Sequence, residues 1–387
     1  MHGAVLCDAG GAALRPAILW PDRRASDQLE RWRALPEPDR AALANPLVAG
    51  MTGPAVAWLA AHEPETMDRA AVLLLPKDYL RTRLGGPPVT DRSDASATLL
   101  WDVPADTWSA PALRAARVPD RLLPAVHRSD TVIGEVAAGA AAGLAGAALV
   151  TGCADTPAAL LATAGPADEV QINVGTGAQV LATVDRAEPR ADPPTHLYAD
   201  AGDGWYAMAA VQNAGLALDW VRGLFGLDWP ELFADAGRAP AGAGGVSFLP
   251  FLSGERGGIA PAGSRGAWLG MGTGTGRSEL LRAAVEGVVF AIRRAVDLLG
   301  ATGRPVRLTG GGTRPALVTR LLADLLAVPV RRVDVRSASA TGAALLAARG
   351  VGHQLPSTTV NSAPVRPEPA TALLDAYRTW TDRLAGS

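Results

Sequence analysis

Two glycine turns are the residues of this 387-residue chain whose type and spacing point most directly to chemistry. At 306–325, VRLTGGGTRPALVTRLLADL reads as a short strand with Val306 and Leu308, then Gly310, Gly311 and Gly312, then a helix. Leu317, Val318, Leu321, Leu322 and Leu325 fall at helical spacing along that helix. Glycine has no Cβ, so backbone amides can come close to a ligand, and amides that open a helix favour an anion. The second turn is VGTG at 174–177, with Gly175, Thr176 and Gly177 leaving an apolar run. Successive backbone amides and a threonine hydroxyl make a nest for anionic oxygens; a plain hairpin turn accounts for VGTG on its own equally well. Two such turns in one chain suggest a nucleotide gripped from two sides.

A third stretch, TGCADTPAALLATAG at 151–165, sets Asp155 and Thr156 before a proline and an alanine-rich run. By spacing alone, Asp155 is a good helix N-cap with proline in the first turn.

The elements that must position these turns sit in an ordinary globular composition. Hydrophobic residues make up 48% and charged residues 19%, which argues against disorder, and 387 residues suffice for two cores. The net charge of -2 offers no basic footprint for nucleic acid or for an anionic membrane surface. No apolar run approaches the roughly 20 residues that span a bilayer, and no signal peptide is visible, so the cytoplasm is the expected compartment. Cys7 and Cys153 make no disulfide framework, and the five histidines show no metal-ligand pairing.

Read in order, 1–20 is strand, Asp-Ala-Gly-Gly turn, strand, a hairpin pattern. Residues 22–35 are charged with helical spacing, a helix starts near Pro54, and 71–75 is a short strand before a helix stopped by Gly85 and Gly86. Residues 90–100 read as a loop leading into a short element, and 102–126 as linker and surface helix. From Val170 the pattern becomes strand, glycine turn, strand, a further strand pair, and a helix at 215–224. That fresh start places a domain boundary near residue 168, giving 1–167 and 168–387. Ser278 reads as the cap of a long helix to Leu299, and a strand at 333–335 leads to a helix ended by Gly350. Strands alternating with helices indicate α/β layers.

Several stretches, in this order, resemble the FGGY family of carbohydrate kinases, and within it the xylulokinase branch. They are MHGAVLCD, LRPAILWPDRR, LLPKDYLRTRL with TDRSDASATLLWD, FLPFLSGER with RGAWLGM, RAAVEGVVFAIR, and VRLTGGG with TGAALLA. The resemblance implies two ribonuclease H-like domains of the actin and hexokinase type with a cleft between them. The first would lie on the sugar side and the second on the nucleotide side. It implies that Asp155 is the catalytic base, accepting the proton of a sugar hydroxyl that attacks the γ-phosphate of ATP. Mg2+ would accompany ATP, with Asp155 related to it indirectly. Met1, His2 and Gly3 match a loop that contacts the ketose, while Trp20 and Asp22 match a W-x-D-x-R pattern beside the sugar. Thr156 stands where the branch has an asparagine against the sugar. Gly175, Thr176 and Gly177 match the turn that holds the phosphate tail, and Gly310, Gly311 and Gly312 the adenosine side. Gln212, Asn213 and Ala214 match a helix start near the nucleotide, with capping the expected role of Asn213.

The implied reaction is phosphorylation of a ketopentose, D-xylulose to D-xylulose 5-phosphate. Alternatives are a glycerol, ribulose or rhamnulose kinase of the same fold, or a sugar- and nucleotide-binding pseudokinase. TGCADTPAA departs from the branch's GGGDNAAGA-like segment, and Ser339 stands where glutamate is common. Family members also begin with a strand, a DxGT turn and further strands ahead of the MHG loop. The given sequence starts at that loop, so the first domain is expected to be N-terminally truncated and its activity weak. The sequence leaves the oligomeric state open, a homodimer included.

Overall fold

The structure is a computed structural model that describes residues 2–255, 258–261, 263–356 and 360–386. It divides into two compact units, each gathered from three segments. The first comprises Met1–Ala164, Val184–Tyr206 and Val335–Thr358, and the second Gly165–Thr183, Ala207–Asp334 and Thr359–Ser387. Segments 184–206 and 335–358 therefore count with the first unit although they lie beyond residue 168 in the chain.

In the first unit, strand Gly3–Cys7 runs antiparallel to Ile18–Leu19, with Gly3 opposite Leu19, and to Val72–Leu74 on its other side. The Asp-Ala-Gly-Gly turn closes on the Asp8 side chain, whose Oδ1 accepts the Gly10 and Ala12 amides, and Gly11 supplies the positive φ of +77°. Trp32 is buried and donates its Nε1–H to Leu99 O at 2.8 Å, fixing the short Glu30–Arg33 helix. Residues 90–100 differ from the expected loop. Strand Val89–Asp91 pairs in parallel with Ala125–His127, and helix Arg92–Ala95 follows at once. The reason is local: the Asp91 carboxylate accepts the Ser93 and Asp94 amides and nucleates the turn. Helix Asp155–Ala162 packs against helix Ala338–Gly350 through small residues, Gly342 lying against the Ala158 backbone.

The second unit is built on a sheet in which Trp205–Val211, Ala178–Val184, Val170–Val174, Val306–Thr309, Val330–Asp334 and Val360–Asn361 follow one another. Val170–Val174 is antiparallel to Ala178–Val184 across the glycine turn and parallel to Val306–Thr309. Helix Ala316–Leu326 connects the parallel strands Val306–Thr309 and Val330–Asp334, burying Val318, Leu321, Leu322, Leu325 and Leu326. The long helix Arg277–Leu298 is buried from Leu281 to Ile292 and fills the core. Its cap is not Ser278. The flanking residue is Gly276, whose amide donates to Glu279 Oε2 at 3.0 Å. Glu279, three residues on, supplies the reciprocal bond of a capping box by accepting the flanking residue's own amide.

Candidate active site

In the second unit the two glycine turns come together at the ends of neighbouring strands. Gly175, Thr176 and Gly177 link Val170–Val174 to Ala178–Val184, and the turn is closed by Gly175 N–H donating to Gly177 O at 2.8 Å. The start of helix Gly215–Leu224 is strapped onto it: Gly215 N–H donates to Gly175 O at 3.1 Å, and Leu216 N–H to Thr176 O at 2.8 Å. A Cβ on Gly177 would stand 2.6 Å from Val211 O, so only glycine allows this approach. Gly310 has φ +90°, and a Cβ there would stand 2.6 Å from Asn173 Oδ1 and 2.9 Å from Val174 C. Gly311 and Gly312 form a single 3₁₀ turn with Thr313, and the helix begins at Ala316.

These backbones border a pocket of about 950 Å³. Its polar end is made of Gly175, Thr176, Gly215, Gly311 and Gly312, with Asp219 and Arg314 nearby. Its other wall is apolar, with Leu216, Trp229, Pro230, Phe233 and Leu317. The Gly175 and Gly215 amides are spent within the turn, which leaves the Thr176 hydroxyl and the other amides of the two glycine turns as the donors suited to phosphate oxygens, beside an apolar surface suited to a base.

Asn213 does not cap the helix. The position before Gly215 is Ala214, without a side-chain cap. The fully buried Asn213 instead donates from Nδ2 to Gly254 O at 2.6 Å, while its Oδ1 accepts the Ser253 amide at 3.2 Å and the Ser253 hydroxyl at 3.0 Å. Buried Glu255 accepts the Gln212 amide at 2.9 Å. Ser253 and Glu255 therefore hold the strand end that leads into the phosphate-side helix. The sequence reading missed both; the SGER stretch was a match without an assigned role.

In the first unit Asp155 is the first residue of its helix, and Ala154 occupies the capping position. The expected N-cap bond is absent, because the helix starts one residue earlier than an N-cap at 155 would require and Asp155 is itself helical. The carboxylate is exposed, its Oδ1 accepting the amide of Thr156 at 2.9 Å. Ser339 donates its hydroxyl to Asp155 O at 2.9 Å, so the serine at the expected glutamate position clamps the Asp155 backbone. Thr156 is half-buried beside it.

His2 is held by a contact between Nδ1 and Ala97 O at 2.9 Å. A carbonyl only accepts, so Nδ1 carries the proton and Nε2 presents its lone pair. Burial keeps the imidazole below its usual range, against the opposite pull of the Asp94 and Asp155 carboxylates. Its ring lies 6.0 Å from that of Tyr198, whose hydroxyl meets His196 Nδ1 at 2.7 Å. The ladder that pairs Gly3 with Leu19, continued by one residue, sets His2 across from Trp20, which is 51% exposed. Asp22 is bound at 2.9 Å to Arg24, whose guanidinium holds its carboxyl below the usual range. Met1 lies outside the described residues.

Residues 1–162 match the N-terminal domain, and residues 170–351 the C-terminal domain, of the FGGY family of carbohydrate kinases. The chain belongs to that family, and its fold is the two-domain sugar-kinase fold of the actin and hexokinase type. It is 34% identical over 359 residues to the xylulose kinase of Escherichia coli K12, covering 90% of this chain and 73% of that protein. Among solved structures, a xylulose kinase from Rhodospirillum rubrum superposes with a TM-score of 0.89 at 28% identity, covering 99% of this chain and 82% of that one. A gluconate kinase from Lactobacillus acidophilus gives a TM-score of 0.92 at 21% identity, covering 100% and 82%, a likeness of fold alone. The chain is thus a sugar kinase, for which ATP is the expected phosphate donor.

Proposed function

We propose that this protein transfers the γ-phosphate of ATP to a hydroxyl of a ketopentose, with D-xylulose the first choice of sugar. The observation that carries the reading is the Asp155 carboxylate, exposed at the first position of its helix and accepting a hydrogen bond from its own neighbour. Its lone pairs can take a proton. The sugar O–H proton passes to Asp155 while the oxygen bonds to the γ-phosphorus, and the bond from that phosphorus to the bridging oxygen breaks to release ADP. His2 Nε2 accepts a hydrogen bond from another sugar hydroxyl, and Trp20 offers an apolar face to the ring carbons. Thr156, a hydroxyl where related chains carry an amide, is the residue through which the choice among ketoses and polyols is tuned.

The nucleotide lies in the second unit's pocket, phosphates on the Gly175–Thr176–Gly177 turn and base against Trp229 and Leu317. Among the described residues no group of three or more histidines, cysteines and carboxylates forms a ready metal cage. Mg2+ binds through phosphate oxygens, waters and one or two carboxylates, so it would be carried with ATP and screen the phosphate charge, Asp155 being the carboxylate that would relate to it indirectly. That relatives bear the name xylulose kinase supports D-xylulose as the first choice of sugar.

The test is sugar-dependent ADP release across D-xylulose, D-ribulose, L-rhamnulose and glycerol, with Asp155→Asn beside the parent chain. The expected result is highest kcat/KM on D-xylulose and loss of turnover in Asp155→Asn with binding retained. Turnover surviving in Asp155→Asn would remove Asp155 from the reaction. Calorimetric binding of sugar and ADP without any turnover would make the protein a binding module.

A further inference from the structure

We infer that Lys77, Asp91 and Ser93 are positioning residues for Asp155, joined into a buried ionic knot that fixes the backbone from Thr151 to Ala154. The inference rests on the reading of Asp155 as the proton acceptor.

Lys77 lies in the first turn of helix Pro76–Arg83, and its Nζ meets three carboxylates. They are Asp78 Oδ1 at 2.5 Å, Asp91 Oδ1 at 2.9 Å and Asp94 Oδ2 at 3.3 Å, all on buried residues. Burial alone would push the ammonium towards neutrality, yet Asp91, Asp78 and Asp94 together hold its pKa well above the ordinary value. Arg81 supplies a second cation, pairing with Asp78 at 2.9 Å. Buried ion pairs add little stability over apolar packing of the same volume. A core of three carboxylates and two cations is therefore poorly explained by stability.

The knot's hydrogen bonds explain it better. Arg81 donates to Thr151 O at 2.5 Å and also to Val89 O. Asp91 Oδ2 accepts the hydroxyls of Ser93 at 2.6 Å and Ser129 at 2.8 Å. A serine hydroxyl has one proton, so Ser93, having given its proton to Asp91, has only lone pairs left. One of them accepts the Ala154 amide at 2.9 Å. Ser129 O accepts the Gly152 amide at 2.9 Å. Thr151, Gly152 and Ala154 are thus each tied to the knot, and the next residue is Asp155. Gly152 has φ +81°, a conformation open to a glycine that is free to move unless held. Lys77 sets Asp91, Asp91 sets the Ser93 proton, and Ser93 sets the amide that fixes where the helix of Asp155 begins.

The test uses the full chain with D-xylulose and ATP, comparing Ser93→Ala, Ser93→Thr, Lys77→Met and Asp155→Asn. Ser93→Ala is expected to lower kcat about 10–100-fold, the usual loss for a supporting partner, with sugar KM within about threefold of the parent. Ser93→Thr keeps the hydroxyl and is expected to recover most of that loss. Lys77→Met removes the cation shared by three buried carboxylates and is expected to melt lower, so the decisive variant is Ser93→Ala, which leaves the ion pairs intact. Amide hydrogen exchange across 151–156 is expected to accelerate in Ser93→Ala. Parent-like kcat in Ser93→Ala beside an inactive Asp155→Asn overturns the positioning role alone, as does a Ser93→Thr no better than Ser93→Ala. Full turnover in Asp155→Asn overturns the base reading instead. If the parent chain shows no sugar-dependent ADP release, the exchange measurement decides, and unchanged exchange in Ser93→Ala overturns the inference.

Discussion

Gly342→Ala tests how tightly Asp155, the proposed base, is held from the other side. Gly342 sits in helix Ala338–Gly350, where an ideal Cβ would stand 2.9 Å from Ala158 Cα and nearer still to its carbonyl. Nonbonded carbons rest about 3.5–4.0 Å apart, and with the Ala158 carbonyl carbon at 2.4 Å alanine must part the two helices by at least about 1 Å. Alanine is favoured over glycine within a helix by about 1 kcal/mol. Overpacking a close contact costs about 1–3 kcal/mol, so the substitution is destabilising on balance. The larger effect falls on rate. Asp155 opens the helix to which Ala158 belongs and moves with it. A misplacement of about 1 Å can cost on the order of 100-fold, equivalent to about 2.7 kcal/mol of barrier. Initial rates of ADP release on D-xylulose, with Asp155→Asn as the floor, are expected to show kcat falling about 100-fold and sugar KM little changed. Melting should drop by a few degrees. Parent-like kcat and melting in Gly342→Ala would refute the reasoning, because a contact this close cannot absorb a methyl group silently.

Gly310→Ala adds a side chain at φ +90° and 2.9 Å from Val174 C, and is expected to abolish the rise in melting temperature that ADP gives the parent; a preserved rise would take the nucleotide away from this turn. Trp229→Ala removes an aromatic wall of the pocket and is expected to weaken ADP binding by roughly tenfold in calorimetry. An unchanged Kd would mean that the base does not lie on Trp229. Of the four tyrosines, Tyr198 and Tyr206 are held well above the ordinary phenol by burial, and Tyr377 is pushed up to about 12 by burial and by Asp297. A raised folded-state pKa contributes stability below the unfolded value of 10.0 that is lost as pH rises through about 12. Alkaline unfolding should therefore begin in that window, with Tyr377→Phe shifting its onset upward. Phenolate absorbance followed beside circular dichroism checks this; all four tyrosines ionising near pH 10 in folded protein would contradict it.

What could be read from the sequence was what local chemistry decides. The TGGG and VGTG turns were visible because only glycine permits φ +90° at Gly310 or a backbone contact like that of Gly177. Helix Ala316–Leu326 was visible because its apolar residues repeat at helical spacing. What escaped depends on partners distant in the chain. Asn213 looked like a cap, yet its amide is spent on residues 253–255. Asp155 looked like a cap and is the first helical residue, a shift of one position that frees its carboxylate. The charges in PKDY and TDRSD fell in an expected helix and an expected loop and carried no assigned role. Only the fold shows that Lys77, Asp91 and Asp94 face one another in a buried site.

The way each unit is gathered from three segments has a consequence for taking the protein apart. The chain passes from one unit to the other after residues 164, 183, 206, 334 and 358. A cut near 168 would leave 184–206 and 335–358, including the helix that clamps Asp155, on the wrong fragment. Neither half could then complete its core, and mixing the halves would require two unfolded pieces to find each other. An engineer seeking the second unit alone must instead join 165–183 to 207–334 and then to 359–387 with new short linkers. Such interleaving means that neither unit can be exchanged between proteins by swapping one contiguous stretch of gene.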